Sequence, residues 1–231
     1  TQEQEEEDPD QILAYVFPTF HQVSGGQQRQ LHLPCDTTMV QSLLKQASSS
    51  TEEESCHVHL ASAYLNPAPS LLSSLSSCAS CTLLSAAPSN HGFAPKPHAN
   101  GNKKRRLFDW GFVPHFYQAI SQELQQRHPS LELLEYHRPQ WTFHAKGLYI
   151  YSPQGNLLAA TLGSSNYGIR SSTRDMESNC ILVFPNPTSP FQQALVDEWD
   201  RFLEHSRAPN HDHSGVPPWV RMSLPLIKPL L

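Results

Sequence analysis

Two short stretches of this 231-residue sequence hold side chains whose types and spacing suit phosphoryl chemistry. In Trp141-Thr-Phe-His-Ala-Lys-Gly-Leu-Tyr149 the pair His144 and Lys146 lie two residues apart. On an extended strand they project side by side while Ala145 turns the other way. The next apolar run ends at Gly163-Ser-Ser-Asn-Tyr-Gly168, which adds a hydroxyl at Ser164 and a carboxamide at Asn166. Histidine can attack phosphorus or carry a proton near neutral pH. Lysine is a compact cation suited to phosphate, and a hydroxyl and an amide can donate to the remaining oxygens. A glycine at 163 lets backbone approach a ligand closely.

The elements needed to bring these groups together are legible as periodic runs. Phe143 to Tyr151 and Leu157 to Leu162 read as strands joined by a turn at Ser152-Pro-Gln-Gly-Asn156. A hairpin of that kind would set Ser164 and Asn166 beside His144 and Lys146. Further strands are expected over 12–17, 57–65, 81–85, 131–136 and 180–184. Helices are expected from Asp36 to about Ala47, from Pro67 to Ser77, from Val113 to Arg127 and from about Pro190 to His205. Phe116, Ile120 and Leu124 share one face of the third helix, and Phe191, Leu195, Trp199 and Phe202 are the expected core residues of the fourth. Strands alternating with helices point to an α/β layered fold.

Composition bounds the rest. Charged residues are 16% and apolar residues 38%, which excludes a disordered polyelectrolyte, and no apolar run approaches the ~20 residues that span a bilayer. Twenty prolines against ten glycines announce long irregular connections. The formal charge of −5 includes an acidic run within residues 1–10, so global charge names no partner. Five scattered cysteines do not make a secreted disulfide scaffold, and Cys78-Ala-Ser-Cys81 lacks a second pair at metal-ligand spacing. The expected organisation is an acidic tail over 1–10, a catalytic domain over 11–206 and a Pro-rich tail over 207–231. The chain starts Thr-Gln-Glu and reads as a fragment in which no targeting segment is visible.

The pattern His144-x-Lys146 followed by Gly163-Ser164-x-Asn166 resembles the HKD motif of the phospholipase D superfamily. After four further residues the family usually has an aspartate, and here Tyr151 stands in its place. Arg170-Ser171 and Asp175-Met-Glu177 resemble the family's later Arg-Ser and acidic residue. The resemblance implies that a carboxylate hydrogen-bonds the histidine and fixes its tautomer, with Glu177 the first candidate and Asp175 the second. Within the superfamily, Trp141 to Leu148, Gly163 to Arg170 and Arg174-Asp-Met-Glu177 look similar to the C-terminal half of the eukaryotic, mitochondrial-type phosphatidylglycerophosphate synthases. Ala63-Tyr-Leu-Asn66, Ser89 to Phe93 and Pro225-Leu-Ile-Lys228 look similar to segments of that branch too.

That resemblance implies a phospholipase D-like α/β/α sandwich with a mixed central sheet. It implies a mitochondrial, peripherally membrane-bound transferase acting on CDP-diacylglycerol and glycerol 3-phosphate. Catalytic roles fall to His144, Lys146 and Glu177, and phosphate binding to Gly163, Ser164 and Asn166, with no cofactor and no metal. Enzymes of this superfamily join two HKD motifs in one site, whereas this sequence has a single His-x-Lys. His144 would then be the second histidine, the general acid/base, and the nucleophile would come from an upstream half or from a homodimer partner. Alternatives are a phospholipase D-type hydrolase or nuclease using water, and a non-catalytic lipid-binding half. Among other motifs, Lys103 to Arg106 is a basic knot in a loop, with no interleaved aromatics to suggest nucleic acid. His211-Asp-His213 reads as a solvated linker, and His57 and His59 as one face of a strand. Trp141 lies at the mouth of the site or packs on the sheet, and Tyr64 and Asn66 either contact substrate, as the resemblance implies, or mark a strand end at which Asn66 caps the next helix.

Overall fold

The computed structural model describes residues 13–20, 36–47, 55–92, 113–185, 189–209 and 216–228. The acidic run at 1–10, the basic knot Lys103–Arg106, Cys35, Phe93 and the His211–His213 cluster lie outside the described residues.

Among the described residues eight strands form one mixed sheet: β1 (Leu13–Phe20), β2 (His57–Ser62), β3 (Ser80–Ala86), β4 (Leu131–Tyr136), β5 (Gly147–Tyr151), β6 (Leu157–Gly163), β7 (Met176–Val183) and β8 (Ser206–Arg207). Their spatial order is β1-β7-β6-β5-β2-β3-β4-β8. β2, β3 and β4 run parallel, and every other neighbour pair is antiparallel. The parallel trio is built by two crossovers, through α2 (Pro69–Leu75) and α3 (Val113–Arg127). Such connections place a helix over the sheet and bury the strands on both sides. β5 is accordingly buried along its whole length.

One face of the sheet is covered by α1 (Asp36–Ala47), α2 and α3. Val40, Leu44, Leu71, Leu75, Ile120 and Leu124 meet Val58, Leu60, Leu83, Leu148 and Ile150 there. The other face is covered by α5 (Pro190–Leu203), whose Leu195 and Trp199 meet Ala61, Leu84, Tyr149 and Leu182. The alternation of Leu148 and Ile150 with Tyr149 and Tyr151 divides β5 between these two layers, as period 2 requires. The expected α/β/α sandwich is therefore present. Two short elements are additions to the sequence reading, namely α4 (Ile169–Thr173) and β8. Within the stretch read as a Pro-rich tail lies α6 (Pro218–Ile227), whose Val220 packs on Phe116 and Ala119 of α3. Its two prolines at the start sit where the first helical turn lacks N–H partners in any case.

The predicted hairpin forms. Leu148 faces Thr161, Gly147 faces Leu162, and the Ser152 N–H closes the turn on the Asn156 carbonyl at 2.8 Å. Gly155 adopts φ +85° in that turn, a conformation glycine takes without steric cost. β5 itself begins at Gly147 rather than Phe143. His144 and Lys146 lie in the extended lead-in before the strand, beyond the last ladder pair.

Candidate active site

The lead-in 141–146, the end of β6 and the start of β7 meet at one end of the sheet, where an open cleft of about 770 Å³ is lined by His144, Lys146, Gly163, Ser164, Asn166, Arg174, Asp175, Met176 and Glu177. All six residues singled out in the sequence are thus brought together. The antiparallel β6–β7 pairing delivers Gly163 opposite Asn179, and this pairing is why position 163 must be glycine. A Cβ there would lie 2.2 Å from Asn179 Oδ1 and 2.3 Å from the Ser178 carbonyl oxygen, closer than packed atoms tolerate. The loop after β6 is tied to the end of β2. The Ser62 hydroxyl lies 2.8 Å from the Asn166 carbonyl oxygen, Ala68 N–H donates to the Tyr167 carbonyl at 2.9 Å, and Ile169 N–H to the Asn66 carbonyl at 3.0 Å. Tyr167 takes φ +54° and bonds its hydroxyl to Thr161 in the core. This bracing holds Asn166 at the cleft with its Oδ1 buried and unpartnered.

Lys146 Nζ sits 3.2 Å from His144 Nδ1, 3.3 Å from Nε2 and 3.1 Å from the His144 carbonyl oxygen. Partial burial, and then this ammonium, lower the His144 pKa below the usual histidine value, so the ring is neutral at pH 7. Lys146 is also lowered by burial, opposed by the attraction of Glu177. Glu177 is buried and accepts a 2.5 Å hydrogen bond from Ser164 Oγ. The Ser164 hydroxyl in turn accepts from Ser178 N–H at 3.0 Å, which fixes it at the mouth of the hairpin.

The carboxylate expected to fix the His144 tautomer does not bond to it. The polar contacts of the His144 ring are with Lys146, while Glu177 holds Ser164 and Asp175 accepts from Arg170 Nε at 2.9 Å. The reason is positional: Glu177 is the second residue of β7, just beyond the last β6–β7 pair Gly163–Asn179, and its carboxylate meets the Ser164 hydroxyl there. What frames the imidazole instead is aromatic. Tyr64 stands edge-on to His144 at 6.1 Å between centroids, and His91 packs edge-on to Tyr64 at 4.9 Å. Burial, and then the charge of His144, push the His91 pKa down to about 4, so a second imidazole near the site is kept neutral. Asn66 is buried, and its amide donates to the Lys228 carbonyl at 2.6 Å rather than capping α2. Trp141 is exposed and carries the Arg138 guanidinium over its ring at 3.8 Å, which settles it at the surface rather than on the sheet.

The sequence reading did not give Arg174 or Met176 a place in the site. Their signal was there, since both flank Asp175 immediately before Glu177. The other His and Cys side chains singled out in the sequence do not line this cleft among the described residues. His59, half-buried, stacks on Trp199 at 4.5 Å, and desolvation pushes its pKa down to about 4. Cys81 is buried with its thiol pushed up to about 12, and the Cys56 thiol donates to Cys78 Sγ at 3.5 Å.

No family model matches the chain. Among curated proteins it is 30% identical over 210 residues to the mitochondrial CDP-diacylglycerol–glycerol-3-phosphate 3-phosphatidyltransferase of Gallus gallus and 30% identical over 216 residues to that of Homo sapiens. Each alignment takes in 87% of this chain and 36% of the relative. The chain is homologous to this transferase family. It spans about a third of the length of these phosphatidyltransferases. Its fold matches the phosphatidylserine synthase of Haemophilus influenzae, with a TM-score of 0.68 at 13% identity over 96% of this chain and 48% of the other. A phospholipase D family member, Nuc from Salmonella typhimurium, aligns with a TM-score of 0.48. The chain thus shares the α/β/α fold of that phosphatidylserine synthase, with the His144–Lys146 pair at the open end of its sheet.

Proposed function

We propose that this chain carries the second half of a phosphatidyl-transfer site, moving the phosphatidyl group of CDP-diacylglycerol to sn-glycerol 3-phosphate and releasing CMP. The observation that carries this reading is the convergence of a neutral imidazole, an ammonium, a fixed hydroxyl and a carboxamide on one open cleft, in a chain homologous to named phosphatidyltransferases. A histidine from an upstream segment or from a second copy attacks the donor phosphorus. The P–N bond forms as the phosphoanhydride P–O bond breaks, and CMP leaves with a proton from His144. In the second half-reaction His144 takes the proton of the acceptor hydroxyl, whose oxygen attacks phosphorus as the P–N bond breaks.

The electrostatics suit both halves. Without substrate the Lys146 cation keeps His144 unprotonated. A phosphate dianion beside Lys146 cancels that cation and favours the imidazolium needed to protonate the leaving group. Lys146, Ser164 and Asn166 then stabilise charge on the equatorial oxygens, the kind of preorganised donor set on which phosphoryl transfer depends. The same reading places the protein at the mitochondrial inner membrane, held peripherally. No helix among the described residues is long and apolar enough to cross a membrane.

The test is CMP release from CDP-diacylglycerol in vesicles, with and without glycerol 3-phosphate, by this chain and by the longer polypeptide with the upstream half, each with His144→Ala as control. Release that requires both the acceptor and His144 is expected. Release indifferent to the acceptor would make the protein a hydrolase, indifference to His144 would make the cleft a binding surface, and silence of the longer polypeptide would end the transfer reading.

A further inference from the structure

We propose that Arg174 forms a second phosphate subsite in the cleft and holds the phosphomonoester of the acceptor, which makes it the residue that selects glycerol 3-phosphate over glycerol or water. The inference rests on the transfer reading above and adds the acceptor-recognition group to it.

α4 and the residue that ends it present two arginines in different states, Arg170 within the helix and Arg174 just after it. Arg170 is committed, its Nε donating to Asp175 Oδ1 at 2.9 Å. Arg174 has its backbone pinned, with its N–H donating to the Arg170 carbonyl at 2.8 Å, while its side chain is exposed, lines the cleft and has no partner among the described residues. The neighbouring carboxylate does not compete for it, because Asp175 is occupied by Arg170. A guanidinium fixed at its root and open at its head is the side chain best suited to bidentate capture of a phosphomonoester.

Lys146 cannot serve this second anion as well. Its ammonium lies against both ring nitrogens of His144, so its charge is placed on the phosphoryl group under attack. Transfer to a phosphorylated acceptor brings two phosphates into one cleft, the one being moved and the one that serves as a handle. The cleft lining offers two cationic side chains, Lys146 beside the imidazole and Arg174. Its volume of about 770 Å³ lies in the range that holds a small organic ligand as well as the reacting group. Water and glycerol lack the handle and gain nothing from Arg174.

The experiment tracks the arginine Nε–H resonances of the chain as sn-glycerol 3-phosphate is added, with glycerol as the control. The Arg174 resonance should move and saturate with glycerol 3-phosphate and stay still with glycerol. Arg174→Gln should weaken binding about tenfold or more, the worth of a charge-assisted hydrogen bond, and Arg174→Lys should weaken it less. In the longer polypeptide the acceptor KM of Arg174→Gln should rise by a similar factor, while the donor KM and the rate at saturating acceptor hold. An unmoved Arg174 resonance, an unchanged acceptor KM, or a rise confined to the donor KM would overturn the proposal. If wild type binds glycerol 3-phosphate at Arg174 but releases no CMP with any acceptor, the transfer reading fails while the subsite stands.

Discussion

Two pairs of residues at the same spacing, one in a strand and one just before its neighbour, meet different fates. His57-x-His59 lies in β2, and His144-x-Lys146 leads into β5, its antiparallel partner, with His59 directly opposite Tyr149. His59 falls under α5, where its ring stacks on Trp199 at an interplanar angle of 20° and tilts against Tyr151 at 4.7 Å. His57 is spent on a 2.8 Å hydrogen bond with Ser80 Oγ. His144 precedes the first ladder residue and faces Lys146 and the edge of Tyr64 at the open cleft. The spacing is the same, but one imidazole has been absorbed into a core while the other remains free to meet a ligand. Cover, supplied to His59 by Trp199 from about 140 residues further along the sequence, decides which pair does chemistry.

The largest separation between the two regions should come from removing that cover. Trp199→Ala should cost about 3–5 kcal/mol of stability, read by denaturant unfolding, because a buried aromatic is lost from the layer over β2 and β5. It should leave the titration of His144 where it is. Lys146→Gln should do the reverse. Its unfolding midpoint should stay within about 0.5 kcal/mol of wild type. His144-dependent CMP release by the longer polypeptide should fall roughly 10²–10³-fold, the usual loss when one preorganised charge partner is removed. If Lys146→Gln instead unfolded the protein with its remaining activity intact, the open end of the sheet would be structural and the contrast would collapse.

Gly163→Ala should lie between the two classes. The added methyl meets backbone and the Asn179 side chain, so β6 and β7 must part locally. A loss of about 1–3 kcal/mol is expected from this overpacking. Because Ser164 hangs from the same residue pair, CMP release should also fall by more than the stability loss explains. An alanine variant with wild-type midpoint and rate would show that the close approach is not required.

The sequence carried the frame and most of the site, for physical reasons that can be named. Strand–helix alternation and the face of Phe116, Ile120 and Leu124 foretold the layers, because burial imposes its period on the chain directly. Gly163, Ser164 and Asn166 were legible because a hairpin of known register fixes the residues just beyond its second strand. The exact start of β5 was not legible, since Phe143 and Ala145 continue the alternating pattern past the point where ladder bonds end. The role of Glu177 was also hidden. Its type suggested a partner for His144, but its carboxylate accepts from the Ser164 hydroxyl just beyond the end of the β6–β7 pairing. Arg174 was overlooked because its significance depends on Arg170 having already taken Asp175, a three-dimensional fact. α6 escaped because its prolines suggest a tail, while its helical stripe is satisfied only by the distant face of α3.

The finest test of the contrast is a titration of both histidines by NMR. His59 is depressed to about 4 by burial, helped by the charge of His57, whereas His144 is depressed by burial and then by Lys146. Removing the Lys146 charge should therefore move His144 upward towards 6.5 and leave His59 near 4. The two shifts also differ in consequence. A buried histidine whose folded pKa is about 4 against 6.5 unfolded contributes stability fully above pH 6.5, and that stability is lost as the pH falls towards 4, where the unfolded chain binds the proton first. His59→Leu should therefore flatten the acid side of the stability profile between those pH values, and Lys146→Gln should leave that stretch nearly unchanged while shifting the acid limb of CMP release upward. If the His59 and His144 signals moved together in Lys146→Gln, the two ends of the neighbouring strands would be one coupled system, and cover alone would no longer explain why only one of them is open to a phosphate.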